Sequence, residues 1–134
     1  MLSFRNLQDV GTATAPQLMQ TFFWAMFTLN TNRIVEISDW PAEGADKEIE
    51  NLIRDAEHAV ATGKTPWQMP ESGFRAVREV PLENGDSAIV IEASVGGEMD
   101  RTAFRVRRVG NEWRVVIGKG GPQEVKLSAE QMRD

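Results

Sequence analysis

The chain has 134 residues, of which 41% are hydrophobic and 26% charged, and these values are typical of one folded domain. Its net charge is −5, whereas a general nucleic-acid binder usually has a basic excess, so we expect no nucleic-acid partner. Cysteine is absent, which excludes disulfides, thiolate metal sites and a cysteine nucleophile. No apolar stretch reaches the ~20 residues needed to cross a bilayer, so we expect no membrane span in this chain.

The chain divides into three parts by composition. Residues 1–13 are predicted to be a polar lead-in or linker, residues 14–128 one domain, and residues 129–134 a polar tail. The first helix is predicted to begin at Thr14 or Ala15, because Pro16 then falls in the first turn, where its missing N–H costs nothing. This helix ends near Leu29 and is apolar on two sides. We expect the sheet to cover the side that carries Phe22 and Met26, and the two other helices or a partner to cover the side that carries Phe23, Trp24 and Phe27.

Two further helices are predicted before the strands. The "NTNR" at 30–33 breaks the first helix and supplies capping residues for a short second helix, which ends before Pro41. The third helix is predicted over 45–63, with an apolar stripe, a Glu50–Arg54 ion pair on its wet side and Gly63 as the C-terminal stop.

The second half of the chain has the pattern of hairpin-linked strands. Asn84-Gly85, Gly96-Gly97 and Gly110-Asn111 separate apolar segments and predict turns between them. A last short strand is predicted after Pro122. Apolar and polar residues alternate along the strands, which predicts one dry, buried sheet face and one wet, solvent-facing one. The fold class is therefore α+β, with three N-terminal helices packed on one face of a curved four- to five-stranded antiparallel sheet.

The order of elements resembles the cystatin-like cone of the nuclear transport factor 2-like (SnoaL-like) superfamily. The segment "GTATAPQLMQTFFWAM" followed by "NTNR" is similar to uncharacterised bacterial domains with a Thr-Pro-rich lead-in and a helix carrying Gln-Thr-Phe-x-Trp-Ala. The resemblance spans roughly residues 11–128 and implies a domain of a longer bacterial chain, membrane-anchored or extracytoplasmic. The histidine and aspartate pair of the catalytic members has no counterpart here, so no catalytic residue is carried over.

Three features suggest catalytic, metal-binding or phosphate-binding chemistry but have simpler explanations. His58 is the only histidine, and its position opposite the apolar stripe of the third helix predicts that it faces solvent. The acidic residues of the same helix are scattered around its circumference, so we expect a solvated face and not a metal site. The "GKGG" at 118–121 lacks the spacing and following helix of a phosphate loop, which predicts a strand exit. We expect no cofactor.

Four arginines are predicted to form a basic strip on the wet face of the sheet: Arg101, Arg105, Arg107 and Arg114. Arginine rows suit phosphate or carboxylate recognition, which makes this strip a candidate surface for an anionic ligand or partner. Glutamates in the same strands offer the alternative that cross-strand ion pairs neutralise the strip.

Four apolar side chains are the candidates for a ligand pocket: Trp24, Trp40, Trp67 and Met69. In a cone fold the space between helices and sheet is either filled by side chains or left open for a small apolar ligand. Filling is the favoured interpretation, with pocket lining as the alternative.

Three functions are consistent with these patterns. The first is a non-enzymatic accessory domain for protein interaction or small-ligand binding. The second is a SnoaL-like enzyme, an isomerase or dehydratase, with a pocket lined by acids such as Asp39 or Asp100. The third is an oligomerisation module, recognisable by an apolar homodimer interface. The complete fold pattern without a converging polar site favours the first.

Overall fold

A computed structural model describes residues 1–63 and 72–134. The helices are Ala15–Phe27 (α1), Thr31–Glu36 (α2) and Ala45–Ala61 (α3). The strands β1–β7 are Leu2–Ser3, Ser38–Asp39, Gly73–Pro81, Ser87–Val95, Glu98–Val109, Glu112–Gly118 and Gly121–Pro122. Helices precede the four long strands, which confirms the α+β class. Within the described ranges, no helix has the length and apolarity to cross a membrane.

The predicted helix boundaries follow from side-chain caps. Thr14 Oγ1 accepts the Gln17 backbone N–H at 3.2 Å, which fixes the start of α1. Asn30 Oδ1 accepts the Arg33 N–H at 3.2 Å and begins α2 in the same way. The chain leaves α3 through Gly63, whose φ of 69° suits a glycine. The Glu50–Arg54 ion pair is also confirmed.

The sheet has seven strands, where the sequence predicts four or five. Its order is β1-β3-β4-β5-β6-β2, and β7 pairs with β6 outside this path. The neighbours are antiparallel except β2, which runs parallel to β6. The three additional strands have two residues each, too few for apolar alternation to reveal them.

The hairpins form where the glycines predict them. Gly96-Gly97 connects β4 to β5 with both residues at positive φ, and Gly110 turns the chain between β5 and β6. Asn84 has a φ of 60° in the β3–β4 loop. In β3 a bulge between Ala76 and Arg78 shifts the register against β4, and β1 pairs with β3 only at Gly73 and Phe74.

The main core lies between the three helices and one face of the sheet, which we call the inner face. The helices contribute Leu18, Met19, Phe22, Ile34 and Leu52, among others, and each is at most 8% exposed. The inner face contributes the buried side chains Ile89, Ile91, Val106, Val115 and Ile117. The side of α1 that carries Phe22 therefore packs on the sheet, as the sequence predicts.

The second apolar side of α1 is covered by a segment that the sequence predicts as a lead-in. Phe4 is 4% exposed and packs edge-on against Phe23 and Phe27, with ring centroids 6.0 and 5.3 Å apart. Phe4 also stacks on Phe74 of β3 at 5.7 Å. The prediction that α2, α3 or a partner covers this side therefore leaves out the chain's own first residues, which pack directly on Phe23 and Phe27.

Backbone proximity holds this segment in place. β1 lies so close to β3 that a Cβ added to Gly73 would stand 2.5 Å from the Leu2 carbonyl oxygen. Only glycine allows that approach. The Phe4 N–H donates to the Ser72 carbonyl at 3.1 Å and extends the pairing by one residue.

A smaller apolar cluster lies on the opposite, outer face of the sheet. Val80, Ala88, Val90 and Ala103 are each at most 8% exposed there. Val125, Leu127 and Met132 pack over them, and the Val125 N–H donates to the Ala103 carbonyl at 2.8 Å. The expectation of one dry and one wet face is therefore wrong for this part of the sheet, because the C-terminal segment covers it.

Replacing Phe4 with alanine tests whether the first residues belong to the core. We expect Phe4→Ala to lower the free energy of unfolding by about 3–5 kcal/mol, the usual loss for a buried phenylalanine. Urea denaturation of the full chain measures this loss. The matched control is Met1→Ala, since Met1 is 59% exposed and should change stability by less than about 0.5 kcal/mol. Equal stability of the two variants would contradict the packing described here.

Candidate ligand groove and outer-face ion network

An apolar groove of about 400 Å³ lies where the N-terminal segment, the end of α1 and the last turn of α3 meet. Its described lining consists of Phe4, Arg5, Leu7, Trp24, Phe27, Thr28, Leu29 and Val60. This volume falls in the range of pockets that bind small molecules. Arg5 is the one titratable side chain among these lining residues.

The groove wall contributed by α1 includes an unusual backbone conformation. After α1, the Asn30 N–H donates to the Ala25 carbonyl at 2.9 Å and the Leu29 N–H to the Met26 carbonyl at 3.3 Å. These two bonds form a Schellman motif, whose left-handed position is usually a glycine. Here Leu29 occupies that position with a φ of 57°, at a cost of about 1–2 kcal/mol for a residue with a Cβ.

The predicted pocket residues are only partly brought together. Trp24 lines the groove. Trp40 is not among the described lining residues; its ring packs at the margin of the main core, and its indole N–H donates to the Val35 carbonyl at 3.2 Å. Trp67 and Met69 lie outside the described residues, so their assignment stays a prediction.

The four arginines of the predicted basic strip lie on one face of the sheet, but carboxylates neutralise three of them. Arg101, Arg105 and Arg107 all lie on the outer face and form ion pairs with carboxylates. Among the glutamates within the described strands, Glu92 alone forms an ion pair. The other partners come from β2, the β3–β4 loop and the C-terminal segment: Asp39, Glu83, Asp86 and Asp134.

Asp86 is the centre of one half of this network. Its side chain is 2% exposed, and Oδ2 accepts from Arg105 Nε at 2.7 Å while Oδ1 accepts from Arg107 Nε at 3.1 Å. Burial alone would raise the pKa of Asp86, but the hydrogen bonds and charges of Arg107 and Arg105 outweigh it and lower this pKa. Asp86 is therefore held as a carboxylate by two cations.

Glu92 is the centre of the other half. Its two oxygens accept from Arg101 Nε at 2.7 Å and from Arg75 Nε at 3.0 Å. Hydrogen bonds from Arg101 and Arg75 lower the pKa of Glu92. The same two arginines hold Asp134 and lower its pKa too, and Arg101 also donates to the Met132 carbonyl at 2.8 Å. The C-terminal segment is thereby attached to the sheet.

Arg114 differs from the other three arginines of the strip. No carboxylate of the described residues lies within ion-pair distance of it, and its Nε is buried without a hydrogen-bond partner. It lines a separate, more polar pocket of about 410 Å³ beside Arg33 and Trp113. Arg33 is already paired with Asp9 and Glu36.

The residues considered for catalysis do not converge. Asp39 pairs with Arg107, and Asp100 lines a groove on the outer face, so neither is among the described residues that line the apolar groove. His58 is exposed on α3, as its helical position predicts. In the described ranges, no three acidic or histidine side chains approach closely enough to hold a metal ion.

Sequence reasoning missed most of the groove. Phe4 and Leu7 lie in the predicted lead-in, although their spacing of three residues, with Leu2 nearby, is a weak apolar signal. The sequence predicts Leu29 only as the end of the first helix, because leucine gives no hint of a left-handed conformation. Arg5 gave no signal at all.

Neutralising Asp86 tests the ion network. We expect Asp86→Asn to lower the unfolding free energy at pH 7 by about 2–3 kcal/mol, because both arginines lose a buried anionic partner. Since the folded pKa of Asp86 is lowered, its stabilisation is present above the unfolded pKa of roughly 3.9 and is lost as the pH falls through the folded value. The difference between the variant and the natural sequence should therefore shrink when urea unfolding is repeated at acidic pH.

The control for this experiment is Glu50→Gln. Glu50 and Arg54 form an ion pair with side chains 70% and 66% exposed, and such pairs contribute less than about 0.5 kcal/mol. A loss in Asp86→Asn that is no larger than in this control, or that stays constant with pH, would contradict the role assigned to Asp86.

Comparison of the chain with protein-family models, curated proteins and solved structures finds no match in any of the three. The resemblance to the nuclear transport factor 2-like superfamily therefore stays a prediction.

Proposed function

We propose that this protein is a non-enzymatic binding domain that holds a small apolar ligand in the groove between the N-terminal segment and the end of α1. The observation that carries the proposal is the left-handed backbone conformation of Leu29 at the groove. A leucine in a left-handed conformation is costly, and such strain is concentrated at functional sites. Glycine would satisfy the same Schellman motif without that cost. Leu29 is one of the residues that line the groove, so a binding role would account for a leucine at this position.

The chemistry of the lining supports an apolar ligand. Aromatic and aliphatic side chains form most of its described wall, and each apolar group that a ligand buries is favourable by roughly 25 cal/mol per Å². Acid–base catalysis needs positioned titratable groups near the ligand. The described lining offers a single arginine, so we favour binding over the isomerase or dehydratase alternative.

We also propose the cystatin-like cone of the nuclear transport factor 2-like superfamily as the detailed fold. Three helices on one face of a sheet with hairpin-linked long strands, and the bulge in β3, support it. A homodimer and an oligomerisation role stay predictions, because no described feature favours them over the groove.

The variant Leu29→Gly separates a binding role from a packing role. It relieves the left-handed strain and removes the side chain of a residue that lines the groove. We expect its unfolding free energy to be unchanged or up to about 1 kcal/mol higher. We expect binding of the neutral fluorescent probe N-phenyl-1-naphthylamine, followed by its emission, to weaken about five- to tenfold, since roughly 1–1.4 kcal/mol of apolar contact is lost.

The matched control is Asn84→Gly. Among the described residues, Asn84 and Leu29 are the two non-glycine residues with a positive φ, and Asn84 lies in the β3–β4 loop. It should bind the probe as the natural sequence does. Failure of the natural sequence to bind the probe would overturn the proposal. So would a Leu29→Gly variant that binds normally or is destabilised by the 2–5 kcal/mol typical of a core leucine.

A further inference from the structure

Arg5 lines the apolar groove, and its side chain has no ion-pair or hydrogen-bond partner among the described residues. The guanidinium groups of Arg33, Arg75, Arg101, Arg105 and Arg107 are each bound to carboxylates. The side chain of Arg5 has neither an ion pair nor a hydrogen bond among the described residues. It shares this property with Arg114 and Arg133, but of these three only Arg5 lines the apolar groove.

The backbone around Arg5 is fixed. Phe4, the preceding residue, is buried in the aromatic cluster and bonded to Ser72. Ser3 Oγ accepts the Arg5 N–H at 3.3 Å and caps the short 3-10 turn of residues 4–6. The position from which the guanidinium extends is therefore set by the fold, which lowers the entropy lost when it binds a ligand.

The charges of the groove are complementary to a single anionic group. Its described lining holds one cation and no acid. A guanidinium binds a carboxylate through two parallel N–H donors. The net charge of −5 disfavours a multiply charged ligand.

We propose that the groove selects an amphipathic monocarboxylate, with its apolar tail between Phe4, Trp24 and Leu29 and its carboxylate paired to Arg5. This inference rests on the proposed function and specifies its ligand class as a free small-molecule acid with a medium-length hydrocarbon tail. Probe binding tests the proposed function, and competition between an acid and an alcohol of equal chain length tests the ligand class, so the two proposals can fail separately.

The test compares decanoate with 1-decanol as competitors of N-phenyl-1-naphthylamine on the full chain. We expect decanoate to displace the probe at about fivefold lower concentration than decanol, the limit for a partly exposed ion pair. The advantage should fall as salt is added, because added ions screen the pair.

Three variants identify the residue responsible. In Arg5→Gln, decanoate should displace the probe only at the concentration that decanol needs. The concentration of decanol that displaces the probe should be unchanged. Arg5→Lys should retain part of the advantage, since it keeps the charge and loses the planar fork. Arg133→Gln removes the same charge away from the described groove lining and should behave as the natural sequence does.

Each outcome has a distinct meaning. Equal displacement by decanoate and decanol would overturn this inference and leave the proposed function standing. A preference for decanoate that persists in Arg5→Gln would also overturn it. Displacement by neither compound, although the probe binds, would overturn the ligand class, and a probe that does not bind at all would overturn the proposed function.

Discussion

The contact of Phe4 with the aromatic rings of α1 and β3 is the interaction on which the rest of the structure depends. Phe4 touches Phe23, Phe27 and Phe74, so one side chain joins the N-terminal segment, the first helix and the first long strand. The same contact hides the second apolar side of α1 and forms one wall of the groove. Stability and the candidate site therefore share a residue, and a change at Phe4 affects both.

The two faces of the sheet are stabilised by different physics. The inner face buries aliphatic side chains under three helices. On the outer face, a small apolar cluster is bordered by Asp86 and Glu92, and each of these acids is shared by two arginines. Such a network adds directional contacts that apolar burial does not provide. It also attaches the end of the described chain to the sheet, through Met132 and Asp134.

The sequence predicts features that are encoded locally and fails where distant segments meet. Thr14, Asn30 and Gly63 bound helices because capping depends on neighbouring residues. Arg101, Arg105 and Arg107 follow from strand alternation, yet their partners Asp86 and Asp134 come from a loop and the tail, which no periodicity connects. The groove was missed because it joins residues 4–7 to residue 60, and because Leu29 adopts a conformation that its side chain opposes.

The exposed margin of β3 has a consequence for self-association. Among the described residues, β1 alone pairs with this margin, and only at Gly73 and Phe74. The following residues of β3 therefore offer backbone groups with which another chain's strand would pair. The bulge between Ala76 and Arg78 interrupts the straight ladder that such pairing requires. Pro81, at the far end, has no N–H to offer. The bulge and the proline make this sheet margin a poor template for fibril growth.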